Sequence, residues 1–83
     1  MPSRSLQVRF FAVLREQAGC SAVDVDSTAT DAATLYGELQ KRFPSLAFPP
    51  HLLKVSINER YATMDTPLTA DDRVVFIPPI AGG

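Results

Sequence analysis

An amphipathic stretch near the middle of the chain most constrains its fold. Apolar side chains recur there at steps of three or four residues, which places them on one face of an α-helix. These residues are Ala32, Leu35, Tyr36, Leu39 and Phe43. Thr30 or Asp31 is suited to cap the start of this helix, and Pro44 ends it. Because a helix with one apolar face must pack against another layer, the rest of the chain has to supply a sheet.

Segments that alternate apolar and polar residues lie on both sides of this helix and predict β-strands. They cover residues 6–10, 22–26 and 53–57, with a short return strand at 61–62 after a turn at Asn58-Glu59, and the apolar run that follows Asp71-Asp72 predicts a last strand over 73–77. A change of period predicts a short helix over 11–18, which Gly19 ends. We expect the last strand to lie in the middle of the sheet, beside the first. The predicted fold is therefore a single α+β domain over residues 1–83, of the β-grasp (ubiquitin-like) type, with a mixed sheet on one face of the main helix.

The segment after the last strand reads Pro78-Pro79-Ile80-Ala81-Gly82-Gly83. Two prolines bias the backbone toward extended conformations, which predicts a C-terminal tail over 78–83 that stands away from the domain and is flexible at its glycines. Because glycine has no Cβ, another protein or a nucleotide can approach the terminal carboxyl group closely. A frayed end is the alternative explanation for a Gly-Gly terminus. The combination of strand, proline pair and glycines favours a tail that enters the cleft of another protein.

A terminal carboxylate is ionised at neutral pH and resists nucleophiles until it is activated, for example as an acyl-adenylate. Such activation needs ATP. The four glycines of the chain are scattered, and neither common phosphate-binding glycine motif is present. We therefore expect this chain to bind no cofactor and a separate activating enzyme to use the ATP.

The charge balance bears on the kind of partner. Eight basic and nine acidic residues give a net charge of −1 and leave no basic stripe, which argues against nucleic acid or an anionic membrane as the main partner. No apolar run approaches the length of a membrane span, and the N-terminus lacks the core of a signal peptide. We expect a cytoplasmic protein.

The residues that usually carry nucleophilic or metal chemistry are sparse. Cys20 is the only cysteine and His51 the only histidine, so a disulfide or a cysteine-based metal site is excluded within the chain, and a Cys20/His51 dyad has no supporting motif. Asp65, Asp71 and Asp72 suit turns and strand ends better than a cation site. We predict no metal site.

Four segments carry a resemblance to a known family. They are residues 8–16 (VRFFAVLRE), the turn Ile57-Asn58-Glu59, the pair Pro67-Leu68, and residues 76–83 (FIPPIAGG). Together they resemble the small, sulfur-carrying subunit of molybdopterin synthase, over residues 6–83. A Gly-Gly end on a β-grasp domain is shared with the thiamine sulfur carrier and with ubiquitin-like modifiers, which remain alternatives. The FFA-x-LRE segment favours the molybdopterin family.

The resemblance implies a mechanism in which this chain is a cosubstrate and a non-catalytic subunit. An ATP-dependent adenylyltransferase related to ubiquitin-activating enzymes would adenylate Gly83, and a sulfur donor would convert the adenylate into a thiocarboxylate. The tail, including Gly82, would then enter the large catalytic subunit of molybdopterin synthase and give its sulfur to cyclic pyranopterin monophosphate. The family also implies a heterotetramer of two small and two large subunits.

Family members contact partner subunits near the root of the tail, and the resemblance carries this role onto matching positions. They are Phe11, Arg15, Tyr61, Phe76 and Ile77, with Pro78, Pro79, Ile80 and Ala81 of the tail. The residue types leave a second interpretation open, because large apolar side chains also suit a core and Arg15 also suits a solvated helix face. The family often has an aromatic residue where Ile77 stands and an aliphatic one where Tyr61 stands.

Overall fold

A computed structural model describes residues 3–79 of the chain. The elements follow in the order β1 (Arg4–Phe10), α1 (Val13–Ala18), β2 (Ala22–Ser27), α2 (Ala32–Arg42), a 3₁₀ turn (Pro50–Leu52), β3 (Lys54–Ile57), β4 (Arg60–Ala62) and β5 (Arg73–Ile77). Each predicted strand and helix is present, with bounds that differ from the predicted ones by up to two residues.

The five strands form one mixed sheet in the order β2-β1-β5-β3-β4. β5 pairs in parallel with β1 and antiparallel with β3, so it lies in the middle of the sheet. The other two pairs, β1 with β2 and β3 with β4, are antiparallel. This topology confirms the predicted α+β, β-grasp fold and the central position of the last strand.

The core lies between the sheet and α2. Alternate strand residues point inward and are fully buried, among them Leu6, Val8, Phe10, Val55, Val74 and Phe76. From the helix, the buried residues are Ala32, Leu35, Tyr36 and Leu39, four of the five in the predicted stripe. The Tyr36 and Phe76 rings lie 5.2 Å apart, which joins the helix directly to the central strand.

The ends of the helices follow from local chemistry. The Asp31 carboxylate, and not Thr30, caps α2 by accepting a hydrogen bond of 2.8 Å from the Thr34 backbone N–H. Gly19 ends α1 with a left-handed φ of 79°, as predicted. α1 begins at Val13 and not at Phe11, because Ala12 has φ 51° and ψ −125°, far from helical values.

The turn before β5 is organised by Asp72, whose side chain is buried. Its carboxylate accepts hydrogen bonds from the Thr69 backbone N–H (2.8 Å), the Thr69 hydroxyl (3.0 Å) and the Asn58 side-chain amide (2.8 Å). The Asn58 side-chain oxygen accepts from the Arg73 backbone N–H at 2.9 Å. Burial alone would raise the pKa of Asp72, but the hydrogen bonds and the nearby charge of Arg4 outweigh it and lower that pKa below 3.8. One carboxylate thus joins the β3–β4 turn to the start of the central strand, in agreement with the structural role predicted for it.

We predict that Asp72→Asn lowers the free energy of unfolding by about 2 kcal/mol at neutral pH, because an amide offers fewer acceptors to the donors that surround it. Folding lowers the pKa of Asp72, so its stabilisation is complete above the unfolded-state pKa of about 3.9 and is lost as the pH falls through the lower folded-state value. Urea denaturation over a pH series measures both effects.

Asp71→Asn is the matched control, because residue 71 is exposed and has a φ of 66°, which asparagine tolerates. We expect its free energy of unfolding to remain within about 0.5 kcal/mol of the parent. Equal stability of the Asp72→Asn variant and the parent at neutral pH would contradict the assigned role.

Candidate functional site

The parallel pairing of β1 and β5 brings two chain segments together where both strands end. Phe10 lies opposite Phe76 in the register. The residues that follow them, Phe11 and Ile77, therefore lie close together at the carboxyl ends of the two strands. Ile77 also lies opposite Lys54, the first residue of β3. The root of the tail is therefore set between the β1–α1 connection and the start of β3.

An apolar surface covers this part of the sheet on the face that points away from α2. Strand register places Val75 opposite Ser56, and Ser56 opposite Tyr61, so these side chains share the outward face with Ile77. Phe11 is 52% exposed and Tyr61 is 84% exposed. We call Phe11, Tyr61, Val75 and Ile77 the tail-root surface. Exposed aromatic side chains clustered beside aliphatic ones are typical of protein interaction sites.

A groove of about 550 Å³ adjoins this surface and follows the start of the tail. We call it the tail groove. Its lining is almost entirely apolar and consists of Phe11, Ala12, Val13, Phe48, Tyr61, Ile77, Pro78 and Pro79. A smaller cleft of about 260 Å³ lies over the outward face of the sheet, between Phe11, Ser56, Glu59, Tyr61, Val75 and Ile77. The two concavities share Phe11, Tyr61 and Ile77, so these three side chains form the centre of the site.

Three of the predicted contact residues, Phe11, Tyr61 and Ile77, thus come together. Arg15 lies on α1 with an exposed side chain and is not among the residues that line the tail groove. Ile80, Ala81, Gly82 and Gly83 lie outside the described residues.

One predicted contact needs correction, and one tail residue lies deeper than predicted. Phe76 is fully buried against Tyr36, so its side chain belongs to the core and has no surface to offer a partner. Pro78 is also buried, whereas Pro79 is exposed. Of the two described tail residues, only Pro79 therefore stands free, while Pro78 is part of the wall of the tail groove.

Phe48 and Val75 belong to the site and were not predicted. Val75 could have been found from the strand register, since residues two apart on β5 share a face. Phe48 lies in a loop without periodicity, so no local pattern indicates where its ring is placed.

Charged residues surround the apolar centre on the outward face. Arg9, Lys54 and Arg73 occupy outward positions of the three inner strands, and Arg73 forms an exposed ion pair of 3.3 Å with Glu59. Exposed pairs contribute little to stability, but charges at a rim steer association and select partners. The basic residues favour a partner with acidic groups around its contact surface.

The remaining reactive residues lie elsewhere. Cys20 is partly buried against the core, and His51 is exposed in the 3₁₀ turn. Within residues 3–79, no three side chains of His, Cys, Asp or Glu gather as metal ligands do. What the described geometry offers is a surface on which another protein can dock beside the tail.

The backbone at Ala12 is strained where it enters the site. A φ of 51° with a ψ of −125° is disfavoured for any residue with a Cβ, yet Ala12 links Phe11 of the tail-root surface to Val13 of the tail groove. The chain is held in this turn by hydrogen bonds of 3.0 Å from the Leu14 N–H to the Phe11 carbonyl and from the Arg15 N–H to the Ala12 carbonyl.

Comparison with known proteins places this geometry among sulfur carriers and related domains. The profile of the ThiS family matches residues 8–83. The molybdopterin synthase sulfur carrier subunit of Escherichia coli (strain K12) is 34% identical over 80 residues, which cover 94% of this chain and 99% of the relative.

Two solved structures also match this fold over nearly the whole chain. The crystal structure of SAMP1 from Haloferax volcanii, the small archaeal modifier protein 1, superposes with a TM-score of 0.81 at 25% identity and covers 95% of this chain and 99% of that one. A complex of subunits 1 and 2 of the molybdopterin-converting factor from Helicobacter pylori matches with a TM-score of 0.65 at 25% identity, covering 95% of this chain and 99% of that one.

No helix among residues 3–79 is long and apolar enough to cross a membrane.

We predict that Ala12→Gly stabilises the domain by about 1 kcal/mol, because relief of the strained φ outweighs the extra entropy of glycine in the unfolded chain. Chemical denaturation measures the change. Ala33→Gly, at an exposed helical position of α2, serves as the control and should destabilise by about 1 kcal/mol. A less stable Ala12→Gly variant would show that Ala12 is not strained.

Proposed function

Because the chain belongs to the ThiS family, we propose that it is the sulfur carrier subunit of molybdopterin synthase. The observation that carries this proposal is the likeness, along nearly the whole chain, to a sulfur carrier subunit of that enzyme. The apolar surface at the root of the tail supports it, since a carrier must be held by other proteins while its terminus is in their active sites.

The proposed chemistry takes place at the carboxyl group of Gly83. A carboxylate oxygen attacks the α-phosphorus of ATP and pyrophosphate leaves, which gives an acyl-adenylate. Hydrosulfide supplied by a sulfur donor then adds to the acyl carbon and AMP leaves, which gives a thiocarboxylate. The carboxylate alone cannot react in this way, because it is ionised and a poor electrophile at neutral pH.

In the second half of the cycle the thiocarboxylate sulfur attacks a carbon of cyclic pyranopterin monophosphate in the large subunit, and the oxygen substituent of that carbon leaves as the C–S bond forms. Water then cleaves the bond between the acyl carbon and the sulfur, so that the sulfur stays on the pterin and the Gly83 carboxylate is regenerated. A dithiolene contains two sulfur atoms, so two carriers are consumed for each product. Acid and base catalysis belong to the large subunit, and this chain is the sulfur-carrying cosubstrate.

The partners follow from these steps. They are an adenylyltransferase related to ubiquitin-activating enzymes, a sulfur donor, and the large subunit of molybdopterin synthase, with which the chain would form a heterotetramer in the cytoplasm. The solved complex from Helicobacter pylori pairs subunit 1 with subunit 2 of a molybdopterin-converting factor, which supports the last of these partners. We assign the tail-root surface and the tail groove to these contacts.

A ubiquitin-like modifier is the second candidate, favoured by the likeness to SAMP1. In that role a lysine amine of a target protein attacks the Gly83 acyl-adenylate, forming an isopeptide bond as AMP leaves. Mass spectrometry of cell extracts separates the two functions, because only the modifier gives conjugates larger than the free chain.

We predict that incubation with ATP, the adenylyltransferase and a sulfur source produces a chain heavier by the mass difference between sulfur and oxygen. Intact-mass spectrometry detects this product directly. Deletion of Gly83, or addition of a bulky residue after it, should abolish the mass change and dithiolene formation while the denaturation midpoint stays the same, because the described core is built from residues 6–76. Full activity of either variant would rule out the carrier function.

We predict that Phe11→Ala weakens binding to the large subunit by roughly tenfold to a hundredfold, because exposed aromatic anchors dominate interface energies. Leu52→Ala is the matched control: Leu52 is 49% exposed but lies in the 3₁₀ turn, away from the residues that line the groove. Calorimetric titration measures both affinities. Equal losses in the two variants would contradict the assigned surface.

A further inference from the structure

The loop that follows α2 is fixed by side chains from two helices. Its backbone is held at three successive residues, Leu46, Ala47 and Phe48. The Gln40 amide donates to the Leu46 carbonyl at 3.2 Å, and the Tyr36 hydroxyl donates to the Phe48 carbonyl at 2.8 Å. From α1, the side-chain oxygen of Gln17 accepts the backbone N–H groups of Ala47 at 3.0 Å and of Phe48 at 3.2 Å.

Gln17 links the two walls of the tail groove. Val13 and Gln17 are four residues apart on α1 and so share one face of the helix. Val13 lines one side of the tail groove, and the Phe48 ring lines another. One helical turn after Val13, Gln17 binds the backbone that carries Phe48. Gln17 thereby sets the separation between the helix and the loop at the position where the tail leaves the domain.

Tyr36 and Leu46, which also hold the loop in place, are part of the core, whereas Gln17 is not. Tyr36 and Leu46 are fully buried, and Tyr36 packs against Phe76, so their loss would damage the fold itself. Gln17 is only partly buried, and its described hydrogen bonds join it to the loop alone. A change at Gln17 should therefore release the groove wall while the core stays intact.

We propose that Gln17 is a positioning residue for partner docking, which holds Phe48 in place as a wall of the tail groove through its side-chain acceptor oxygen. The inference rests on the proposed function, because it assigns the groove to the large subunit of molybdopterin synthase. It adds a residue that is not among those lining the groove and yet determines how well the surface beside the tail fits that partner.

Three variants test this role. Gln17→Met keeps the length of the side chain but removes the strong acceptor, whereas Gln17→Glu keeps an acceptor for both N–H groups. Gln40→Met removes the hydrogen bond to Leu46, in the same loop but outside the groove lining, and controls for general loosening of the loop. Amide hydrogen exchange at Ala47 and Phe48 reports the anchoring without any partner. Calorimetric titration with the large subunit reports the docking.

We expect Gln17→Met to speed exchange at both amides and to raise the dissociation constant for the large subunit roughly fivefold to twentyfold, the value of one or two hydrogen bonds. The half-saturating carrier concentration in sulfur transfer should rise with it, while the rate at saturation stays unchanged, because Gly83 is unaltered. Gln17→Glu should restore both slow exchange and affinity, and Gln40→Met should bind like the parent.

Faster exchange in Gln17→Met with unchanged affinity for the large subunit would overturn the positioning role. Equal losses of affinity in Gln17→Met and Gln40→Met would also overturn it, and so would failure of Gln17→Glu to restore binding. A failure of the proposed function gives a different result, since the parent chain itself would then neither bind the large subunit nor accept sulfur at Gly83. In that case the role of Gln17 in docking would also be rejected.

Discussion

The parallel pairing of β5 with β1 is the constraint on which the rest of the structure depends. β5 lies between β1 and β3, and its inward residues Val74 and Phe76 are fully buried. Because parallel strands end at the same edge of a sheet, Phe11 and Ile77 meet there. The strand that carries the tail is thus one of the inner strands, with a neighbour on each side. A partner that pulls on the tail would therefore pull on a strand that is hydrogen-bonded to β1 on one side and to β3 on the other.

The parts of the fold that were predictable are those determined by residues close to one another in the sequence. Element order, a cap at Thr30 or Asp31 and the left-handed end at Gly19 depend on residues close in sequence, so local patterns predicted them. The inward or outward direction of residues 74–77 was not predictable, because all four are apolar and alternation gives no signal. Phe76 therefore stayed open between the core and a partner contact, and the structure buries it against Tyr36 of α2. Pro78 was assigned to a free tail although neighbouring segments bury it.

Only part of the candidate site could be predicted from the sequence, because some of its residues are placed by contacts with residues far away in the chain. Phe11, Tyr61 and Ile77 were identified through a family resemblance, and the fold brings them together. The position of Phe48 depends on hydrogen bonds with the side chains of Tyr36, which donates, and Gln17, which accepts, 12 and 31 residues away in the chain. Such placement is a property of the packed structure. The candidate site combines a strained link at Ala12, a central strand paired on both sides and an anchored loop, and under the proposed function this preset shape would reduce the entropy lost on docking.

The central claim is that partners recognise the end of β5 and the groove beside it. Mapping NMR chemical-shift changes in this chain during titration with the large subunit of molybdopterin synthase tests that claim most directly. The largest changes should fall on Phe11, Phe48, Tyr61, Ile77 and Pro79 and their neighbours, with β2 and the outer face of α2 little affected. Changes centred on β2 or α2, with the end of β5 unperturbed, would contradict it.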